Sequence, residues 1–275
     1  MLSSPALSPS NVNSAQNQVI MLHLIYFVGV VTSFFDPVLA APSPVNSLNF
    51  QFPTQGPNSE PKPFQISVDT GFIKRTVQKA GLYRSSIALI EQNSTWEDGP
   101  PPQEINELAR YWTQEYDWLA VQKQLNSNFS HYTTNILGSG NYQHPIPLHF
   151  VHERSSQSPE DAIPLLLLHG WPSSHHEWAK VIHPLANPSN KSSPRFNVVA
   201  PDLPGFGFSP APTHPGLGPR EMGLAFDALM HQLGYAKYAV ASTDLGWLVA
   251  SWMTYDTTSV NSSLDRLLHS YTQCH

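Results

Sequence analysis

Ile163-Pro164-Leu165-Leu166-Leu167-Leu168-His169-Gly170-Trp171-Pro172 points most directly to the fold class. Ile163 to Leu168 is a short apolar run without alternation, as expected of a strand covered on both faces. It breaks at a Gly-containing turn. Downstream, Phe196 to Ala200 reads as a second strand, and Glu221 to Leu233 as a helix with Met222, Ala225, Phe226, Leu229 and Leu233 on one side. Gly234 closes that helix. Tyr238 to Ala241 is a third apolar strand that runs into Ser242-Thr243-Asp244-Leu245-Gly246, with an apolar helix from Trp247 to Trp252 or beyond. Strands alternating with helices predict an α/β fold with a mostly parallel, doubly wound sheet and right-handed crossovers.

Upstream, Pro147 to Glu153 alternates like a half-buried strand and Asp161 marks a turn. Further back the period becomes helical: Phe72 to Ala80 closed by Gly81, Gln103 to Tyr116 with Ile105, Leu108 and Trp112 on one face, and Trp118 to Leu125. Residues 42–62 are rich in Pro, Ser, Asn and Gln and read as a linker.

Composition narrows the function. Of 275 residues, 40% are hydrophobic, enough for a sizeable core, and the net charge of −6 leaves no basic surplus to neutralise a phosphate backbone. Nucleic-acid binding is therefore not expected. The single cysteine, Cys274, excludes a disulfide framework and any multi-cysteine zinc site. Val19 to Val31 is almost continuously apolar and leads to Val38-Leu39-Ala40-Ala41, the form of a secretory signal peptide cut ahead of Ala41. A single membrane anchor through residues 19–35 is the alternative. Asn93, Asn128, Asn190 and Asn261 begin Asn-x-Ser/Thr sequons that fit the secretory route.

Asp244 is the position of most chemical interest. It stands at a strand-to-helix junction, two residues after Ser242 and two before Gly246, the small-x-nucleophile-x-Gly spacing of a nucleophile elbow. A carboxylate there would attack a carbon electrophile and form an ester for water to hydrolyse. An Asp capping the following helix is the other reading of the same five residues. His169-Gly170-Trp171-Pro172 follows a buried strand at the end where such sheets place ligands, and the amides of Trp171 and Leu245 could form a two-donor oxyanion hole. His169 reads as a structural hydrogen-bonding residue. Pro201 to Ser209 contains a Gly-x-Gly, but Pro210 stands where a dinucleotide loop needs a small residue, so it reads as a tight loop beside the same pocket. His175-His176-Glu177 lacks metal-ligand spacing and reads as polar packing.

Tyr111-Trp112, Glu115 to Trp118, Ile146 to Ser155, Leu165 to Pro172, Glu177-Trp178 and Leu203 to Ser209, in this order, resemble the microsomal-type epoxide hydrolases over about Pro63 to Met253. The resemblance implies an α/β-hydrolase fold preceded by a helical N-terminal meander, placed at 63–160 ahead of a partial core at 161–275. It implies Asp244 as the nucleophile that opens an epoxide, Trp171 and Leu245 as the oxyanion-hole amides, His169, Gly170, Pro172 and Gly246 as supporting motif residues, and no cofactor. The substrate would be a small apolar epoxide. Ser242, Thr243 and Leu245 depart from the glycines and aromatic usual there, and Trp247 from a small residue. Base histidine, orienting carboxylate and acid tyrosines lie well downstream of the elbow in that family, and 31 residues follow Asp244 here. His269, His275, Asp256, Asp265, Tyr255 and Tyr271 take no role. The expectation is the first half of such an enzyme, lacking its cap and catalytic histidine. The alternatives are a catalytically inactive secreted fragment that binds a partner or apolar ligand, and a haloalkane dehalogenase relative.

Overall fold

The computed structural model describes residues 49–260, apart from 54, 86–94 and 97–98. The apolar segment from Val19, the Asn93 and Asn261 sequons and Cys274 lie outside the described residues. The described elements, in order, are β1 (Lys62–Pro63), α1 (Thr70–Ala80), α2 (Pro102–Gln114), α3 (Trp118–Asn128), β2 (His131–Leu137), β3 (Pro145–Glu153), β4 (Ile163–Leu168), a 3₁₀ turn (His175–Trp178), α4 (Ile182–Ala186), β5 (Phe196–Pro201), α5 (Pro219–Gln232), β6 (Ala239–Ser242) and α6 (Asp244–Asp256). Asp69 and Asp117 cap α1 and α3 by accepting from the Phe72 amide and from those of Leu119 and Ala120.

One sheet carries all six strands in the order β1-β2-β3-β5-β4-β6. Its pairings correct the expectation of a mostly parallel, doubly wound sheet. β1–β2, β2–β3 and β3–β5 are antiparallel, and only β4–β5 and β4–β6 are parallel. The physical reason is connection length. β2 and β3 are joined by the short loop 138–144, and β3 and β4 by residues 154–162 with no helix between them. Neither link can return the chain to its starting end, which a parallel neighbour demands. The segments 169–195 and 202–238 carry α4 and α5, so β4, β5 and β6 run parallel.

β4 shows why its run has no alternation. Leu166 and Leu168 pack with Phe150, Val199, Phe226, Leu229, Val249 and Met253 under α5 and α6. Leu165 and Leu167 pack on the opposite face with Val151, Val198 and Ile182 of α4. Both faces are covered, and every position is apolar for that reason. A third cluster, Phe64, Ile66 and Leu125 with Phe50, Trp118, Val121 and Phe208, joins the N-terminal helical region to the sheet. Among the described residues no helix is long and apolar enough to cross a membrane.

Candidate active site

The carboxyl ends of β4 and β6 meet at Asp244. β6 ends at Ser242, α6 starts at Asp244, and Asp244 has φ +44°, in the left-handed region that side-chain-bearing residues seldom occupy. Two glycines permit this turn. A Cβ on Gly246 would collide with the Leu168 carbonyl, and one on Gly170 would stand 2.6 Å from the Asp244 Cβ. With both positions bare, the β4 turn closes on the elbow and the Thr243 amide donates to the Leu168 carbonyl at 3.1 Å.

The Trp171 amide donates to Asp244 Oδ1 at 2.7 Å. The amides of Trp171 and Leu245 hold the Asp244 carboxyl below the ordinary carboxylate range. The three expected residues therefore converge: the side chain is exposed and ionised at neutral pH, with Oδ1 engaged by the Trp171 amide. Glu177 ties the two turns together. It accepts from the Gly170 amide at 3.1 Å and from the Thr243 hydroxyl at 2.5 Å. His169 is fully buried; its Nδ1 lies 2.9 Å from the Gly170 carbonyl and its Nε2 accepts from the Leu203 amide at 3.0 Å, the structural arrangement expected of it. Pro172 follows Trp171 through a cis bond. Trp247 projects to solvent, so a large residue there does not obstruct the elbow.

The structure overturns the expectation that the chain lacks a catalytic-type histidine. His149 from β3, His175 from the 3₁₀ turn and Asp202 at the end of β5 form an intact histidine–carboxylate cluster, all three buried. Asp202 accepts at both oxygens: Oδ2 from His149 Nδ1 (2.8 Å) and the Phe208 amide (2.8 Å), Oδ1 from His175 Nδ1 (2.9 Å) and the His175 amide (2.7 Å). Burial opposes its ionisation, but the His175 and His149 rings hold the carboxyl well below the usual range. An imidazole whose Nδ1–H is fixed by a carboxylate presents Nε2 in the manner of a general base. The resemblance places this histidine after the elbow, whereas folding assembles the cluster from three segments before it. Asp202, a lone carboxylate at the end of an apolar strand, was the signal that could have found it.

The cluster extends to His131, whose Nδ1 lies 3.0 Å from His149 Nε2 and whose Nε2 lies 3.0 Å from the Leu125 carbonyl. Leu125 O and Asp202 only accept, so His131 Nε2 and His149 Nδ1 must carry the hydrogens. Two neutral rings then leave two lone pairs facing each other between Nδ1 and Nε2. Burial and the neighbouring His149 push His131 down to about 4, burial lowers His149 against the pull of Asp202, and burial with Arg154 pushes His152 down to about 4.

These depressed values set a pH dependence. Above pH 6.5 the rings are neutral in both folded and unfolded chains, and stability is full. Between pH 6.5 and 4 the unfolded chain takes up protons that the folded chain refuses, so stability falls, by roughly 3 kcal/mol for each ring shifted this far. Urea midpoints at pH 7.5 and 4.5 should differ accordingly. Equal midpoints would show that these rings do not resist protonation.

His149, His175 and Asp202 offer ligand atoms within 4.8 Å of one another, the spacing of a metal site. Both Nδ1 atoms already donate to the carboxylate, and two amides occupy its remaining lone pairs. A cation would displace all four hydrogen bonds, so the set fits a hydrogen-bonded network and not a metal.

Residues 61–178 match the family described as "Epoxide hydrolase N terminus", and residues 163–262 the family described as "alpha/beta hydrolase fold". The juvenile hormone epoxide hydrolase of Bombyx mori is 34% identical over 194 residues, 70% of this chain and 40% of that protein. Epoxide hydrolase 1 of Oryctolagus cuniculus is 30% identical over 211 residues, 72% of this chain and 44% of that protein. The crystal structure of the Bombyx mori enzyme aligns with a TM-score of 0.61 at 32% identity, covering 73% of this chain and 50% of that one. The chain thus spans about two fifths of the length of the curated relatives it matches.

Proposed function

The chain belongs to the epoxide hydrolase family of α/β-hydrolase-fold proteins, and from this premise we propose that it serves the opening of a small apolar epoxide by Asp244. The free Asp244 oxygen attacks an oxirane carbon, the ring C–O bond breaks, and the released alkoxide takes a proton to become a hydroxyl. Water then adds to the acyl carbon of the resulting ester, the second hydroxyl leaves with the oxygen that came from Asp244, and the carboxylate is restored. Negative charge in that second step collects on Oδ1, the atom that accepts from the Trp171 amide. The observation that carries this reading is the 2.7 Å contact from the Trp171 amide to Oδ1 of a residue held at positive φ. The Tyr111-Trp112 and Glu115 to Trp118 motifs ahead of the core support a protein of the microsomal type.

Isotope transfer tests the covalent route. With protein in excess over styrene oxide in ¹⁸O-water, the diol from the first turnover should carry ¹⁶O from Asp244, and ¹⁸O should stay in the Asp244 carboxylate. A first-turnover diol carrying ¹⁸O would mean direct attack by water and would end this proposal.

We further propose entry into the secretory pathway, supported by the apolar run from Val19 and by exposed sequon residues Asn128 and Asn190. Protein from a eukaryotic secretion host should shift to lower mass with peptide-N-glycosidase. An unshifted band would count against it.

A further inference from the structure

An apolar cavity of about 570 Å³ lies between the N-terminal helices and the segments that follow β4 and β5. α1 contributes Phe72, α2 contributes Trp112, α3 contributes Trp118, and the loop after β5 contributes Phe208. Trp171, Asp244 and Leu245 are not among its lining residues, so it is not the nucleophile's pocket. Its volume lies in the range of small-molecule sites, which combine apolar walls with a few placed polar groups.

His175 is the placed polar group. It lines the cavity yet is 1% exposed, and its Nε2 has no hydrogen-bond partner among the described residues. Its other nitrogen is committed: Nδ1 lies 2.9 Å from Asp202, an acceptor, so Nδ1 carries the hydrogen. In the neutral ring Nε2 is then a bare lone pair. Buried polar atoms are rarely left unpaired, because the lost water is not replaced. What satisfies this one must donate a hydrogen, and what fills the surrounding space must be apolar.

We infer that the cavity is a binding site for an apolar small molecule bearing a hydroxyl group, which donates to His175 Nε2. This goes beyond the chemistry at Asp244 and does not depend on it. An ether or epoxide oxygen has no hydrogen to give and would leave both that oxygen and the Nε2 nitrogen unpaired. The site therefore selects alcohols against ethers of equal size.

The test compares decan-1-ol with its isomer nonyl methyl ether by calorimetry at pH 8.5. The alcohol is expected to bind about tenfold or more tightly than the ether. His175→Phe should bring the alcohol down to the ether's affinity while the ether still binds. Because that change also removes a partner of Asp202, a second measurement uses the unaltered protein: the ¹⁵N resonance of His175 Nε2 should move on adding decanol and stay in place on adding the ether. Equal affinities for the two probes, binding of neither, or an Nε2 resonance unmoved by decanol would each overturn the inference.

Discussion

Asp244→Ala is expected to abolish ester formation. Acid-quenched protein exposed to styrene oxide should gain the mass of one epoxide on the peptide that contains Asp244, and the alanine variant should gain none. Where turnover is followed, the loss should be on the order of 10⁴-fold or greater, because removing a nucleophile leaves only binding and oxyanion donors. Asp244→Gly separates chemistry from backbone conformation. Both variants lose the carboxylate, but only alanine must hold φ +44° with a Cβ. The glycine variant should therefore unfold at higher urea than the alanine variant while being equally inactive. A modified peptide in the alanine variant would remove Asp244 from the role, and identical urea midpoints would show that the elbow stores no strain.

Asp202→Ala should produce the largest loss of stability. The carboxylate accepts four hydrogen bonds while fully buried, from the His149 and His175 rings and the His175 and Phe208 amides. Its removal strands four donors away from water. Breaking one partner of a buried charged network costs roughly 3–5 kcal/mol, a large part of the ~5–15 kcal/mol that holds a typical domain folded. Cooperative unfolding should be lost or its midpoint sharply lowered. Asp202→Asn keeps the shape but turns an NH₂ group toward two of the donors, and should fall between the unaltered protein and the alanine variant. A loss below about 1 kcal/mol in the alanine variant would show that water replaces the carboxylate and that the network is not a structural tie.

Features confined to a few neighbouring residues are legible in the local pattern. The unbroken apolar run places β4 at Ile163–Leu168, and a small residue, a carboxylate and a glycine at alternate positions place the elbow at Asp244. The amide donors at Trp171 and Leu245 follow from the same short motifs, since each lies within a few residues of a strand end. The hydrophobic period placed α2, α3 and α5 for the same reason.

The rest depends on packing between distant segments. β2 went unread because His131, Thr133 and Thr134 are buried polar side chains, and their burial is explained only by partners elsewhere: His149 for His131, Gln55 for Thr133, Gln232 for Thr134. The sense of the sheet turned on whether a connection was long enough to carry a helix, a property of how strands are linked and not of any strand's own pattern. His149 and Asp202 stand 53 positions apart, and Glu177 and Thr243 stand 66 apart. No local period relates such residues. Each is an unremarkable polar side chain until the packed sheet takes it out of water, and only then does the need to satisfy a buried charge or hydrogen bond dictate which partner it meets.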